Sequence, residues 1–259
     1  MNLTDRLLQI CRGHILAVGS TGGTLPKVVV PEPYVPFVPK DWNRVLVLAE
    51  AQNLSNAHKG CRTRLLAQDP ESRILRLLAH TDSPEPHLGI KPWDQGFLKL
   101  AVEAALNERA AQVAVSNAVL WSLVGAAGVN VKPSSETIGS SIGLWAELLP
   151  VLRPVRIVAA GKVAQTVVSE VRKLGAWTGS VLALHLPSPR VLSVVSGMFD
   201  PGDLKEHYPA ACAALDRHAS GWRSQPPKEV RGRLFYACHA VSMARKLGRG
   251  AGGDPSRAQ

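Results

Sequence analysis

The decapeptide VLALHLPSPR, from Val181 to Arg190, decides how the rest of the chain is interpreted. Its apolar start is typical of a short buried β-strand, and it runs directly into His185. The prolines that follow cannot donate to a β-ladder, so strand pairing must end there. His185 is therefore predicted to lie at the C-terminal end of a strand, beside a stiff loop that carries Ser188. Ligands bind at this edge of open α/β sheets, although a histidine in an ordinary turn would give the same pattern.

Further apolar runs precede this strand, and each is followed by a segment with helical periodicity. The predicted strands are Arg44–Leu48, Gln112–Val115 and Arg156–Ala160. Strands that alternate with helices favour parallel β-α-β units with right-handed crossovers. The predicted fold class is therefore α/β, a three-layer α/β/α sandwich with a central four-stranded parallel sheet.

Polar residues follow several of these predicted strands. The segment from Glu50 to Asn53 follows the first strand, Asn117 follows the second and His185 follows the last. Because the carboxyl ends of parallel strands meet at one edge of a sheet, we expect these side chains to converge. For the segment after the first strand, an ordinary strand-to-helix turn is the alternative interpretation.

Composition divides the chain into a terminal arm, a domain and a tail. Residues 1–40 contain the proline-punctuated stretch VVVPEPYVPFVPK, which predicts an extended arm on the surface rather than part of the core. Residues 41–249 are predicted to form a single domain. Residues 250–259 are rich in glycine and polar residues, which predicts a flexible tail.

The charge and cysteine content narrow the functional class. Thirty Lys and Arg residues against twenty Asp and Glu give a formal charge of +10, which favours a polyanionic partner such as nucleic acid. No apolar run approaches the roughly 18 residues of a membrane helix, and the N-terminus lacks a signal-peptide core, so we expect a cytoplasmic protein without a membrane partner. The four cysteines form no C-x-x-C pair, which predicts free thiols and no metal site. We expect a monomer.

Several short motifs occur in a fixed order between Arg44 and Gly197. They are AEAQN (49–53), PWDQGF (92–97), SNAVLW (116–121), RPVRIVAAGKVA (153–164) and HLPSP (185–189). This ordered set resembles the uracil-DNA glycosylase superfamily. AEAQN is similar to the GEAPG and GQDPYH motifs of two of its branches, SNAVLW is similar to TNVVKC, and HLPSP is similar to HPSP with Leu186 inserted.

The chain also departs from the pattern of that superfamily. The water-activating aspartate of GQDPYH corresponds to Ala51. The cysteines of the iron–sulfur branch correspond to Leu120, Trp121 and Ser140, so neither a cluster nor any other cofactor is expected. The resemblance therefore implies a divergent member of the superfamily.

The resemblance implies an enzyme that flips uracil out of DNA into a pocket and hydrolyses its N-glycosidic bond. Trp93 would stack on the base, although it would equally serve to staple the following helix to the core. Asn117 would pair with the edge of uracil, and His185 would donate to O2 as negative charge develops there. The uracil-binding segment would be completed by Ala51, Gln52 and Asn53, and water positioning would fall to Glu50, Gln52 or Asn117.

The resemblance also implies contacts to DNA outside the base pocket. The phosphate contacts would come from Lys132, Ser134, Ser188 and Arg190, and Val191 or Leu192 would fill the gap left by the flipped base. Ordinary turns and a helix cap would explain the serines and prolines equally well. Two other functions remain open: a non-catalytic nucleic-acid binder on the same fold, and a small-molecule α/β hydrolase, which would need a G-x-S-x-G or Walker motif that the sequence lacks.

Overall fold

The computed structural model of the protein describes residues 2–17, 27–28, 30–53, 67–73, 97–107, 112–124, 132–186, 189–199, 203–222 and 227–251. The chain divides into two compact units. The first unit comprises Met1–Pro92 and Val113–Val181, and the second comprises Trp93–Gln112 and Leu182–Gln259.

The sheet confirms the predicted fold class. Its strands are β1 (Lys27–Val28), β2 (Val45–Asn53), β3 (Ala114–Val124), β4 (Arg156–Ala160) and β5 (Ser180–Leu184). They are ordered β1-β3-β2-β4-β5, with β3, β2, β4 and β5 parallel and β1 antiparallel to β3. The architecture is thus an α/β three-layer sandwich around a central four-stranded parallel sheet.

The helices complete the element order. They are α1 (Leu3–Arg12), α2 (Phe97–Leu106), α3 (Ser135–Leu152), α4 (Lys162–Lys173), α5 (Pro189–Ser196), α6 (Leu204–His207), α7 (Pro209–Trp222) and α8 (Pro227–Ala251).

Strands β2 and β3 are longer than predicted. They were expected to end at Leu48 and Val115, but their ladder continues past the end of β4 to the pair Asn53 and Leu123, with an irregularity after Ala51. Hydrogen bonding between the two neighbouring backbones outweighs the polar residues that signalled a strand end. Consequently, the segment from Glu50 to Asn53 lies within β2 rather than after it, and Asn117 lies within β3.

The arm predicted for residues 1–40 instead supplies part of the core of the first unit. Leu7 and Cys11 of α1 are buried in the same hydrophobic cluster as residues of β2, β3, α3 and α4. The backbone N–H of Tyr34 donates to the carbonyl of Leu120 over 2.8 Å, and Phe37 exchanges hydrogen bonds with Val115 of β3. Pro33 and Pro36 directly precede these two donors, so proline and edge pairing are compatible here.

Several helical segments begin at a proline. Residues 67–69 form a turn and helical residues follow from Pro70, where the side chain of Asp69 accepts from the N–H of Ser72. Helices α6 and α7 are separated at Tyr208, and α7 begins at Pro209. A proline fits the first turn of a helix because the N–H that it lacks has no intrahelical partner there.

The second unit has a hydrophobic core of its own. Helix α8 packs against α2, α5 and α7. The buried side chains at its centre include Leu100 of α2, Val195 of α5, and Phe235 and Val241 of α8.

Candidate functional site

The strand order places a topological switch point between β2 and β4. The chain passes from β2 to β3 on one side, and from β4 to β5 on the other. In open α/β sheets, ligands bind outside the carboxyl ends of the strands at such a point. Leu48 of β2 is level with Ala159 of β4, so Glu50 and Gly161 lie just beyond this pair.

Glu50 lies directly against the start of α4. Gly161 precedes this helix with φ 94° and ψ 163°, a conformation that only glycine adopts readily. A Cβ on Gly161 would lie 2.6 Å from Oε1 and 2.7 Å from Cγ of Glu50. The partial positive charge at the helix N-terminus favours a carboxylate in this place. Sequence reasoning found Glu50 but missed Gly161, although its position between a strand and a helix was a usable signal.

Asn117 and Glu50 are not brought together. Asn117 is the register partner of Ala49, which places Glu50 level with Ala118. Side chains alternate between the two faces of a sheet along each strand. Glu50 and Asn117 therefore project from opposite faces, against the expectation that they converge. Ala118 itself is buried in the hydrophobic cluster of the first unit.

The remaining residues of the predicted uracil-binding set lie wholly or partly outside the described part of the structure. The backbone of Ala51, Gln52 and Asn53 belongs to β2, but their side chains lie outside the described part of the structure. Trp93 and Ser188 also lie outside the described residues. Their roles stay predictions.

Ser134 has a structural role at the start of α3. Its Oγ accepts a hydrogen bond from the N–H of Thr137 over 3.1 Å, and the two hydroxyl groups are 2.9 Å apart. This is an N-cap, the ordinary structural explanation of this serine, and it uses the hydroxyl oxygen of Ser134 as an acceptor. Lys132, two residues earlier, is exposed.

The start of α5 presents both charge and apolar surface. Arg190 is exposed, whereas Val191 is partly buried and packs against the core of the second unit. The apolar side chains exposed here are Val194 and Met198, at 58% and 61% of their surface. A side chain that fills a gap in DNA must be accessible, so Val194 and Met198 fit this role better than Val191.

His185 is an exposed residue that follows β5 directly, as predicted, and α8 holds it in two ways. The hydroxyl of Tyr236 donates to the backbone carbonyl of His185. The ring of His239 stacks on the ring of His185, with centroids 5.7 Å apart and planes 21° apart. Tyr236 and His239 are three residues apart on one helix, so they share a face.

Both of these α8 side chains are uncharged at neutral pH. Burial lowers the pKa of His239, and the nearby His185 and Lys246 lower it further. Burial raises the pKa of Tyr236, so its hydroxyl stays a donor. Sequence reasoning missed both residues, because their only link to His185 is a contact across more than fifty residues of chain.

No three His, Cys, Asp or Glu side chains in the described chain are grouped as ligands for a metal ion. None of the described helices is both long enough and apolar enough to cross a membrane.

No protein-family model matches the chain, and a comparison with curated proteins found no match.

Proposed function

We propose that this protein is a DNA-repair glycosylase of base excision repair, which flips uracil out of DNA and hydrolyses its N-glycosidic bond to leave an abasic site. The observation that carries this proposal is His185, an exposed imidazole at the end of β5, within the HLPSP segment. The order of the motifs along the chain and the formal charge of +10 support the same function.

The hydrolysis leaves a uracil anion with charge on O2. An imidazole N–H fixed beside that oxygen stabilises the charge as it develops in the transition state. Removal of one such preorganised donor typically costs about 2.7–4 kcal/mol, or roughly 10²–10³ in rate. Tyr236 and His239 support this role of His185 because they restrain its backbone and its ring.

The attacking water requires orientation more than strong activation, since the sugar develops oxocarbenium character. We assign this role to Glu50, whose carboxylate lies at the switch point beside Gly161. The motif SNAVLW would assign base reading to Asn117, but its side chain leaves the face of the sheet opposite to Glu50, so Asn117 is not assigned to the same pocket as Glu50.

The exposed cations Lys132 and Arg190 are proposed to contact phosphates. Each phosphate contact releases about one counterion, so loss of either cation should lower the slope of log affinity against log salt by about 1.

The test is base release from an oligonucleotide with a single uracil, either single-stranded or paired with guanine or adenine. Alkali then converts abasic sites into strand breaks. His185→Ala should reduce the rate about 10²–10³-fold, and Glu50→Gln and Asn117→Ala are measured beside it. His14→Ala is the matched control, because His14 pairs with Glu147 on the surface of the first unit and has no proposed role.

The alternatives predict different results. A non-catalytic binder, which the alanine at position 51 favours, would retard uracil DNA in a gel without releasing the base. A protein that neither cleaves nor binds uracil DNA would not be a glycosylase at all. Equal rates for wild type and His185→Ala would remove His185 from the mechanism.

A further inference from the structure

Helix α8 contacts His185 through both its backbone and its ring. We propose that Tyr236 and His239 are positioning residues, which hold the imidazole of His185 in one orientation and leave its opposite face and edge open to a ligand. The kinetic consequence of this inference rests on the proposed glycosylase function. The structural part of the inference, the fixed orientation of the His185 ring, does not rest on that function.

Tyr236 restrains the backbone of His185. Its side chain is fully buried in the second unit, and its hydroxyl donates to the carbonyl of His185. A buried aromatic side chain has few accessible rotamers, so the hydroxyl has a defined position. The peptide that follows β5 is thereby tied to a packed helix at the point where the β-ladder ends.

His239 restrains the ring of His185. The rings are 5.7 Å apart at 21°, within the range of offset-stacked aromatic pairs. The ring of Tyr236 lies 6.5 Å from that of His239 on the same helix, so the His239 ring on which His185 stacks is itself supported. An exposed histidine without such a stacking partner would sample several rotamers.

The stacking of His185 on His239 depends on His239 being uncharged. The Nε2 atom of His239 is buried and has no hydrogen-bond partner within the described chain, so a proton there would be poorly solvated. Of the charged groups, His185 and Lys246 act on His239. The helices packed against α8 carry further charges on Lys99, Glu103, Arg190, Asp216 and Arg217.

Acidification should therefore loosen the pair. Below its lowered pKa, His239 gains a proton, and its ring then repels any positive charge on His185 at stacking distance. The expected result is loss of the fixed orientation of His185 on the acid side of neutrality.

The kinetic test measures base release from a uracil oligonucleotide across a range of pH. His239→Ala should lower kcat by on the order of 10²-fold with little change in KM, since a shift of about 1 Å in a catalytic group has such an effect. His239→Phe keeps a stacked ring without a titrating group, so it should recover part of this loss and move the acid limb of the profile to lower pH. Tyr236→Phe should lower kcat, and Leu247→Ala, an exposed position on α8, should not.

The second test needs no activity. In protein with isotope-labelled histidine, NMR should give a titration midpoint for His239 below the usual value of about 6.5, and His185→Phe should raise that midpoint. An ordinary midpoint that His185→Phe leaves unchanged would overturn the inference, as would an unchanged acid limb in His239→Phe. A lowered, His185-dependent midpoint in a protein that releases no uracil would support the positioning pair and refute the glycosylase function.

Discussion

The contact between Gly161 and Glu50 makes the strongest quantitative prediction about the first unit. Substitution of Gly161 by alanine forces an L-residue into φ 94°, ψ 163°, a region in which side chains are strained. The new methyl group would also lie 2.6–2.8 Å from three atoms of the Glu50 side chain. Both effects destabilise the folded state at the same place.

The backbone strain and the steric clash with Glu50 each have an expected cost. Backbone strain of this kind costs about 1–3 kcal/mol, and a methyl group forced into an occupied site costs about 1–3 kcal/mol. Gly161→Ala should therefore lower the free energy of unfolding by about 2–6 kcal/mol, against a typical total of about 5–15 kcal/mol. In a Glu50→Ala background the clash is absent, and only the backbone strain of about 1–3 kcal/mol should remain.

Urea denaturation followed by circular dichroism and tryptophan fluorescence measures these values in a double-mutant cycle. The expected coupling of about 1–3 kcal/mol exceeds the roughly 0.3–0.5 kcal/mol by which independent sites deviate from additivity. Gly143→Ala is the matched control, because this helical glycine of α3 has nothing within 4 Å of an added Cβ. It should stabilise the protein by about 0.5–1 kcal/mol.

Two results would refute this reasoning. A Gly161→Ala protein as stable as wild type would show that the backbone at this position is not strained. Full additivity between Gly161→Ala and Glu50→Ala would show that the carboxylate does not lie against the start of α4, and would remove Glu50 from the switch point.

Three further predictions concern buried charge and ionisation. Arg73→Ala should destabilise the protein by about 3–5 kcal/mol in urea denaturation, because it leaves the Glu32 carboxylate, 2% exposed, without its bidentate partner. Iodoacetamide at mildly alkaline pH should modify Cys212 before Cys11, detected by peptide mass mapping, because burial raises the pKa of Cys11 to about 12 and excludes the reagent. The free energy of unfolding should fall as the pH drops below about 6.5, because His239 binds its proton more weakly in the folded state, and His239→Phe should reduce that slope.

Each of these predictions has an internal control. Arg12→Ala removes the exposed ion pair with Glu71 and should cost about 0–1 kcal/mol, so an equal loss from Arg73→Ala would contradict the burial argument. Cys11 should react once urea unfolds the protein, and its rapid labelling in the native state would contradict its position in the core. A slope that His239→Phe leaves unchanged would place the acid sensitivity elsewhere.

The elements from α3 to β5 were predictable because their signals are local. The cap Ser134, the run Arg156–Ala160, the glycine after it and the amphipathic helix that follows each determine a structure within a few residues. The ends of β2 and β3 were not predictable, since they depend on pairing between strands distant in sequence.

The candidate site shows the same contrast between local signals and contacts distant in sequence. His185 was identifiable because an apolar run and prolines bracket it, whereas the contacts that hold it come from a helix far along the chain. The opposite orientation of Glu50 and Asn117 follows from the register of two parallel strands, and register is not encoded in either strand alone.

The packing of the N-terminal residues along β3 has a consequence for how the chain can be shortened. With its eleven residues, β3 would present a long row of unpaired N–H and C=O groups if β1 and the backbone around Tyr34 and Phe37 did not cover its outer side. An uncovered strand of that length invites a second molecule to add its own strand, which is the usual origin of edge-to-edge aggregation. We therefore expect that removal of the first forty residues would expose β3 and cause aggregation rather than yield a minimal domain.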